Sequence, residues 1–255
     1  RLTGRGLTTA STGTEVTLSH EFDRMDGVHE TGFENTRNQS SQTFIMHSWK
    51  RAPGYFDVVA YTGTGSARTV SHNLGVTPEM MWVKRRDSSG QWNVYHKDLD
   101  ASNPGHKYII LNSTIATADS DGIWNDTAPT SSVFTVGDVG SVNASGGTFI
   151  AYLFATVAGV SKVGSFSHTS GSATNVDCGF SSGARLVICK RTSGTGSWYI
   201  FDSVRGIVSE NDPHLELNSV GSEVTGFDVI DPLSSGFTIA SGFLSSGTYI
   251  FYAIA

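Results

Sequence analysis

Charge is scarce in this chain, and none of it gathers into a basic face. Asp, Glu, Lys and Arg make up only 16% of the 255 residues, 17 basic against 23 acidic, for a formal net charge of −6. Gripping a phosphate backbone takes clustered Lys and Arg, and the longest run here is Lys84-Arg85-Arg86. Nucleic acid is therefore excluded as a ligand. Cysteine is almost absent too, with only Cys178 and Cys189, both in the second half. Two cysteines make neither the framework of a small disulfide-rich domain nor a metal-ligand pattern. Cys189 stands where the first half has Val83, which reads as a small buried apolar side chain; a cross-strand disulfide between the two stays open. No apolar run approaches the roughly 20 residues that span a bilayer. The longest, residues 148–160, reads as a buried strand and its exit, so no membrane insertion is expected, and the first residues carry no signal-peptide pattern.

Helical patterning is missing as well. Hydrophobic residues are 38% of the chain and are spread among 29 glycines and long Ser/Thr stretches, a mixture that suits short strands joined by many turns. What the chain does have is repetition. Gly65-Ser66-Ala67 returns as Gly171-Ser172-Ala173, Lys84-Arg85 as Lys190-Arg191, Gly90-x-Trp92 as Gly196-x-Trp198, and Leu111-Asn112-Ser113 as Leu217-Asn218-Ser219, all 106 residues on. The spacing slips to 100 where Gly147-Thr148-Phe149-Ile150-x-Tyr152 returns as Gly247-Thr248-Tyr249-Ile250-x-Tyr252. Six residues lost in this way belong to surface loops.

A third, partial copy lies at the N-terminus. Phe22-Asp23-x-x-Asp26 matches Phe227-Asp228-x-x-Asp231, Gly32-Phe33 matches Gly236-Phe237, and Thr43-Phe44-Ile45 matches Thr248-Tyr249-Ile250, at offsets of 204 to 205. The expected organisation is residues 1–52 as the back half of a preceding unit, followed by full units at 53–158 and 159–255. A repeat buries its apolar face only when complete or stacked on a neighbour. The missing front half is expected either upstream in a longer polypeptide, which the start at Arg1 favours, or in a second subunit.

Each full unit shows strand patterns with turn signals every ten residues or so, which predicts an all-β fold of tandem antiparallel β-sandwich, jelly-roll-like repeats. The strands expected in the first unit are 55–61, 79–85, 91–96, 107–112, 132–137 and 147–155. Those in the second are 162–168, 185–191, 197–202, 214–218, 236–241 and 247–255. In 79–85, Met81 and Val83 alternate with Met80, Trp82 and Lys84, so the two sets point to opposite faces. The turns 87–90 and 193–196 predict hairpins with loops of three to five residues, in which the Gly before Trp92 and Trp198 takes positive φ. Because that Trp recurs in both copies, its role is expected in core or hairpin packing rather than in binding a ligand.

The units differ most between Leu99 and Asp126, a polar, glycine-bearing stretch suited to a functional surface loop. Trp124 has no aromatic counterpart in the second unit. With Asp119, Asp121 and Asp126 it is the candidate ligand site, either as an exposed ring for stacking on a sugar with a carboxylate cluster for Ca2+, or as a ring packed under the loop with Asp residues serving as turn formers and caps.

No catalytic or cofactor signature is found. There is no Gly-x-Ser-x-Gly elbow between strand and helix, and Gly63-Thr64-Gly65-Ser66 lacks the Gly-Lys-Ser/Thr that follows in a phosphate loop. His96 and His106 have no third partner in sequence for zinc. Glu210, Asp212, Glu216, Glu223, Asp228 and Asp231 make the second unit acidic, and paired carboxylates for glycoside hydrolysis remain open. The expectation is no enzyme, no cofactor and no metal.

The pattern of residues 57–99 with 108-YIILNST-114, 124-WNDTAPTSSVFTVG-137 and 147-GTFIAYLFA-155 resembles the repeated β-rich domains of tail-fibre and other virion proteins of tailed bacteriophages, particularly marine and cyanobacterial ones. The second unit keeps the plan in 190-KRTSGTGSWYIFDSVRG-206 and 248-TYIFYAIA-255. The resemblance implies a structural protein of a virion, a tail fibre or similar appendage acting as spacer and host-receptor module. It also implies a homotrimer bound to other virion proteins and touching a host surface glycan or receptor outside the cell. It transfers no catalytic or binding residues. The alternatives are a carbohydrate-binding or polysaccharide-degrading module, and a head decoration or head fibre.

Overall fold

A computed structural model describes residues 5–7, 9–17, 45 and 47–255. The N-terminal motifs around Phe22, Gly32 and Thr43 lie outside the described residues. The short pair β1 (Arg5–Gly6) and β2 (Val16–Thr17) comes first. The next elements are β3 (Phe56–Thr62), β4 (Arg68–Ser71), β5 (Met80–Arg85), β6 (Trp92–His96), β7 (Lys107–Ile110), β8 (Ala118–Asp119), α1 (Asp121–Trp124), β9 (Val133–Val136), α2 (Gly140–Asn143) and β10 (Thr148–Phe154). Then follow β11 (Ser161–His168), β12 (Thr174–Asp177), β13 (Leu186–Arg191), β14 (Trp198–Asp202), β15 (His214–Glu216), β16 (Ile230–Leu233), β17 (Gly236–Ile239) and β18 (Gly247–Ile254).

The protein is an all-β fold of antiparallel sandwiches, with only two four-residue helices among the described residues. One large sheet runs β3-β10-β5-β6-β7-β8 and a second runs β11-β18-β13-β14-β15. A smaller sheet backs each, β4-β9 behind the first and β12-β17-β16 behind the second. In both units the first strand pairs with the last along its whole length, Phe56 with Phe154 and Ser161 with Ile254 at the ends of the ladders. All twelve strands expected from alternation are present. Those missed are short, two to four residues each; β4 and β12 are four-residue strands whose polar residues lie on the open face, Thr69 and Ser71 around a buried Val70.

Alternation places two apolar sets on the large sheets, and both are buried. Met81, Val83, Phe149, Ala151 and Leu153 join Phe134 and Val136 of the small sheet in the core of the first unit. Val187, Cys189, Phe201 and Phe251 do the same with Phe237 and Ile239 in the second. The opposite faces meet each other. Met80, Trp82, Trp92, Val94 and Phe154 pack with Leu186, Ile188, Trp198, Ile200 and Tyr252 in a third core between the two units. The rings of Phe154 and Tyr252 stand 5.0 Å apart across it. The repeated tryptophans thus belong to the core between units, and the Trp198 indole N–H donates to the Ile110 carbonyl of the other unit at 2.9 Å.

The remaining repeated motifs build the seam of this third core. After β7, the Asn112 side-chain oxygen accepts the Trp92 N–H at 2.9 Å, and Asn218 does the same for Trp198 at 2.6 Å, so Asn extends the ladder past the strand end. Residues 113–117 then cross to the second unit as a strap. The Thr114 carbonyl accepts the Gly196 N–H, Thr117 donates to Thr192, and the buried Lys190 ammonium donates to the carbonyls of Ser113 and Gly196. Burial lowers the Lys190 pKa to about 8, so its charge depends on those carbonyls.

Residues 9–15 form the same strap on the first unit. Thr12 accepts both the Gly90 N–H and the Lys84 ammonium, Glu15 donates its N–H to the Arg86 carbonyl, and its carboxylate takes the Arg86 guanidinium through two bonds of 3.0 and 2.9 Å. These contacts correct two sequence expectations. Neither Gly90 nor Gly196 has positive φ; their shared feature is an N–H offered to a strap. The hairpin loops are also longer than expected, since the last ladder pairs are Lys84–Trp92 and Lys190–Trp198. The residues between are held by strap and sheet rather than by a tight turn, with the Arg86 N–H on the Thr148 carbonyl.

Both cysteines are buried and unpaired, so the apolar reading of Cys189 holds and the open disulfide is not formed. Burial pushes each thiol up to about 12, which leaves them protonated and inert at neutral pH.

Trp198→Ala is expected to cost about 3–5 kcal/mol in urea denaturation, the range for emptying a large core site. Trp198→Phe should cost about 1–3 kcal/mol, because most of the packing survives and the Ile110 carbonyl is stranded.

Candidate functional site

The loop that sets the first unit apart is fixed by a close backbone approach. A Cβ on Gly105 would lie 2.5 Å from the Thr127 nitrogen, so only glycine lets residues 99–107 pack over 125–127. Helix α1 ends at Trp124, and Asn125 and Asp126 turn the chain back with φ of 53° and 47°, a conformation that Asn and Asp tolerate better than other side chains. This crossing sets His106 between two carboxylates. Its Nε2 is 2.9 Å from Asp119 Oδ2 and its Nδ1 is 2.8 Å from Asp126 Oδ1.

An imidazole donates from both nitrogens only when protonated. The hydrogen bond to Asp126, aided by the charge of Asp119, raises the His106 pKa. With both ring nitrogens engaged, His106 has no lone pair for a general base. It acts as a surface clamp that ties β8 and the α1 exit to the 99–107 loop.

The candidate residues are therefore divided. Trp124 is completely buried and meets Tyr95 edge-on at 6.1 Å, which is the second of the two readings, the ring packed under its loop. The apolar ring fills the first unit's core, a larger gain than exposure would give. Asp119 and Asp126 serve the clamp, while Asp121 lines a separate recess of about 280 Å³ with Asp138 and Ser66. The carboxylates do not converge, and among the described residues no group of three or more His, Cys, Asp or Glu could hold a metal ion.

The other titratable candidates serve the backbone. Asp212 is fully buried and accepts the N–H groups of Val208, Val229 and Ile230 at 2.8–3.1 Å; it fastens the start of β16 instead of facing a second acid across a cleft. His96 accepts the Asp98 N–H at Nδ1 (3.1 Å) and so donates from Nε2 to the Phe251 carbonyl of the second unit (3.4 Å). Burial lowers its pKa to about 4, so this contact is made by the neutral ring. His96 and His106 are each committed to separate partners. Sequence reading missed the His106 clamp because Asp119 and Asp126 were grouped by proximity along the chain, whereas Gly105 was the signal that the loop folds back.

Fold and site together define a protein of stacked β-sandwich units whose buried polar groups hold strands and units together. The chain belongs to the family described as Domain of unknown function (DUF7483), whose model matches residues 1–255. Neither the curated proteins nor the solved structures contain a match.

The clamp has a testable sign. A His whose pKa is raised on folding adds stability in full below its unfolded value of about 6.5, and loses it as pH rises through the folded value. The contribution of the clamp, read as the thermal midpoint of the native chain minus that of His106→Gln, should therefore shrink between pH 6 and 8, while the buried His96, His168 and His214, whose pKa values burial lowers, act on the midpoint itself in the opposite sense. An NMR titration should place the His106 midpoint above 6.5.

Proposed function

We propose that this chain is a structural, non-enzymatic protein of a bacteriophage virion, part of a tail fibre or similar appendage, serving as spacer and host-receptor module. The observation that carries the reading is the third core. Large sheets apolar on both faces suit units made to be stacked, and a stack of such units suits an extended spacer. The motif resemblance supplies the biological setting. Buried polar groups support the non-enzymatic part: Lys84, Lys190, Asp212 and His96 are each spent on backbone groups. Its partners in this reading are further copies of itself in a homotrimer, other virion proteins, and a glycan or receptor on the host surface.

Mass spectrometry of purified particles should find peptides of this chain at structural stoichiometry, and antibody labelling should place them on the appendage. Particles free of the chain would overturn the reading, and label on the capsid would move it to a head fibre.

A further inference from the structure

The seam between the two units is fastened differently at its two ends. At the start of β6 the bonds join groups that do not titrate: the Trp198 indole to Ile110, Gly196 to Thr114 and Thr117 to Thr192. The end of β6 lies four residues on, about 13 Å away. There, besides the chain's own passage through residues 155–161, the crossing hydrogen bond among the described residues is made by one imidazole, from His96 Nε2 to the Phe251 carbonyl at 3.4 Å.

That ring has no place for a second proton. It is fully buried, and its Nδ1 accepts the Asp98 N–H at 3.1 Å. A proton on Nδ1 would turn the acceptor into a donor and set two N–H groups against each other. The charged groups around it are Asp98 and Lys97 of its own turn, and Glu79, which is paired with Lys97 at 2.7 Å. From the second unit, Lys162 and Asp177 line the same recess as Phe251. No side chain among these bonds to the ring, whose two nitrogens are already engaged. His106, exposed between two carboxylates, is the opposite case. The second unit has no equivalent: 106 residues on stands Asp202, whose carboxylate takes Arg205 and two backbone N–H groups.

We propose that His96 is an acid-released catch: the ring holds the end of β6 on the second unit while it carries a single proton, and a second proton drives it out of the seam together with the turn at 97–99. The turn follows because it hangs on this residue, through the Asp98 N–H on Nδ1 and the Leu99 N–H on the His96 carbonyl at 3.1 Å. The adjoining polar recess, about 350 Å³, gives the charged ring a destination near the carboxylates of Asp98 and Asp177. The sign follows from proton binding. A solvated ring takes its proton near 6.5 and the enclosed one only near 4, so the open form binds more protons between these values and falling pH favours it. Release therefore begins below pH 6.5 and is complete near 4. The strap end, whose Lys190 stays charged throughout that range, remains closed. The inference goes beyond the virion reading and does not depend on it.

Hydrogen exchange of the full chain between pH 7.5 and 5, read as protection factors, tests the catch. The amides of Asp98 and Leu99 report on it, and those of Gly196 and Thr117 report on the strap end. Protection at Asp98 and Leu99 should fall about 30-fold, as the values of 6.5 and about 4 require, while Gly196 and Thr117 keep theirs. His96→Gln, which retains a donor for Phe251 but gains no proton, should abolish the fall. Protection at 98 and 99 that ignores pH, or a fall undiminished in His96→Gln, would overturn the proposal. So would an equal fall at all four amides, the sign of general acid unfolding through His168 and His214. A variant that does not fold leaves the native chain to decide, by NMR titration of the His96 ring: loss of protection must track its second proton, and a charged ring with both amides still protected refutes the catch.

Discussion

The structure rests on large sheets that are apolar on both faces. A sheet with one buried face completes itself by adding a second layer. Here the small sheets β4-β9 and β12-β17-β16 cover only one side of each large sheet. The other side carries Trp82, Trp92, Ile188 and Trp198, residues too large and too clustered to be left in water. Burial of that face against a neighbour is therefore part of folding each unit, and unit and pair are not separable in stability.

Non-directional apolar packing does not by itself choose a register, and the straps supply it. A buried ammonium is costly unless acceptors surround it, and Lys84 and Lys190 find theirs on the strap of another unit. A neighbour shifted by one residue would strand the charge while conserving most apolar contact. The same logic applies to the Trp198 N–H on Ile110 and to His96 on Phe251. The polar groups of the third core thus specify which arrangement forms, while its aromatic rings provide most of the driving force.

Much of the fold was legible because alternation and repetition are properties of the chain itself. Twelve strands could be placed, and the pairs Lys84/Lys190, Trp92/Trp198 and Leu-Asn-Ser were visible as fixed points. Their meaning was less accessible. Period-2 alternation says that a residue faces one side, but not whether that side meets a small sheet or another unit, so the tryptophans were placed in a core without the knowledge of which one. At the candidate site, Trp124 was taken from a polar setting, and polarity along the chain does not reveal the fold-back at Gly105 that buries it. His106 was matched with His96 as a histidine, although its partners, Asp119 and Asp126, come from across the crossing.

The pairing of each unit's first strand with its last also governs how the chain can be made. Strand β10 lies between β3 and β5, and β18 lies between β11 and β13, so neither large sheet can join its first strand to the rest until the final strand of its unit arrives. Contacts of such long sequence separation form slowly, and during synthesis they cannot form at all before the whole unit has left the ribosome. Until then, faces that will later be internal on both sides are open to any neighbour. Production of this protein is accordingly vulnerable to truncation near Gly247–Ile254, where a few missing residues remove an interior strand of a sheet.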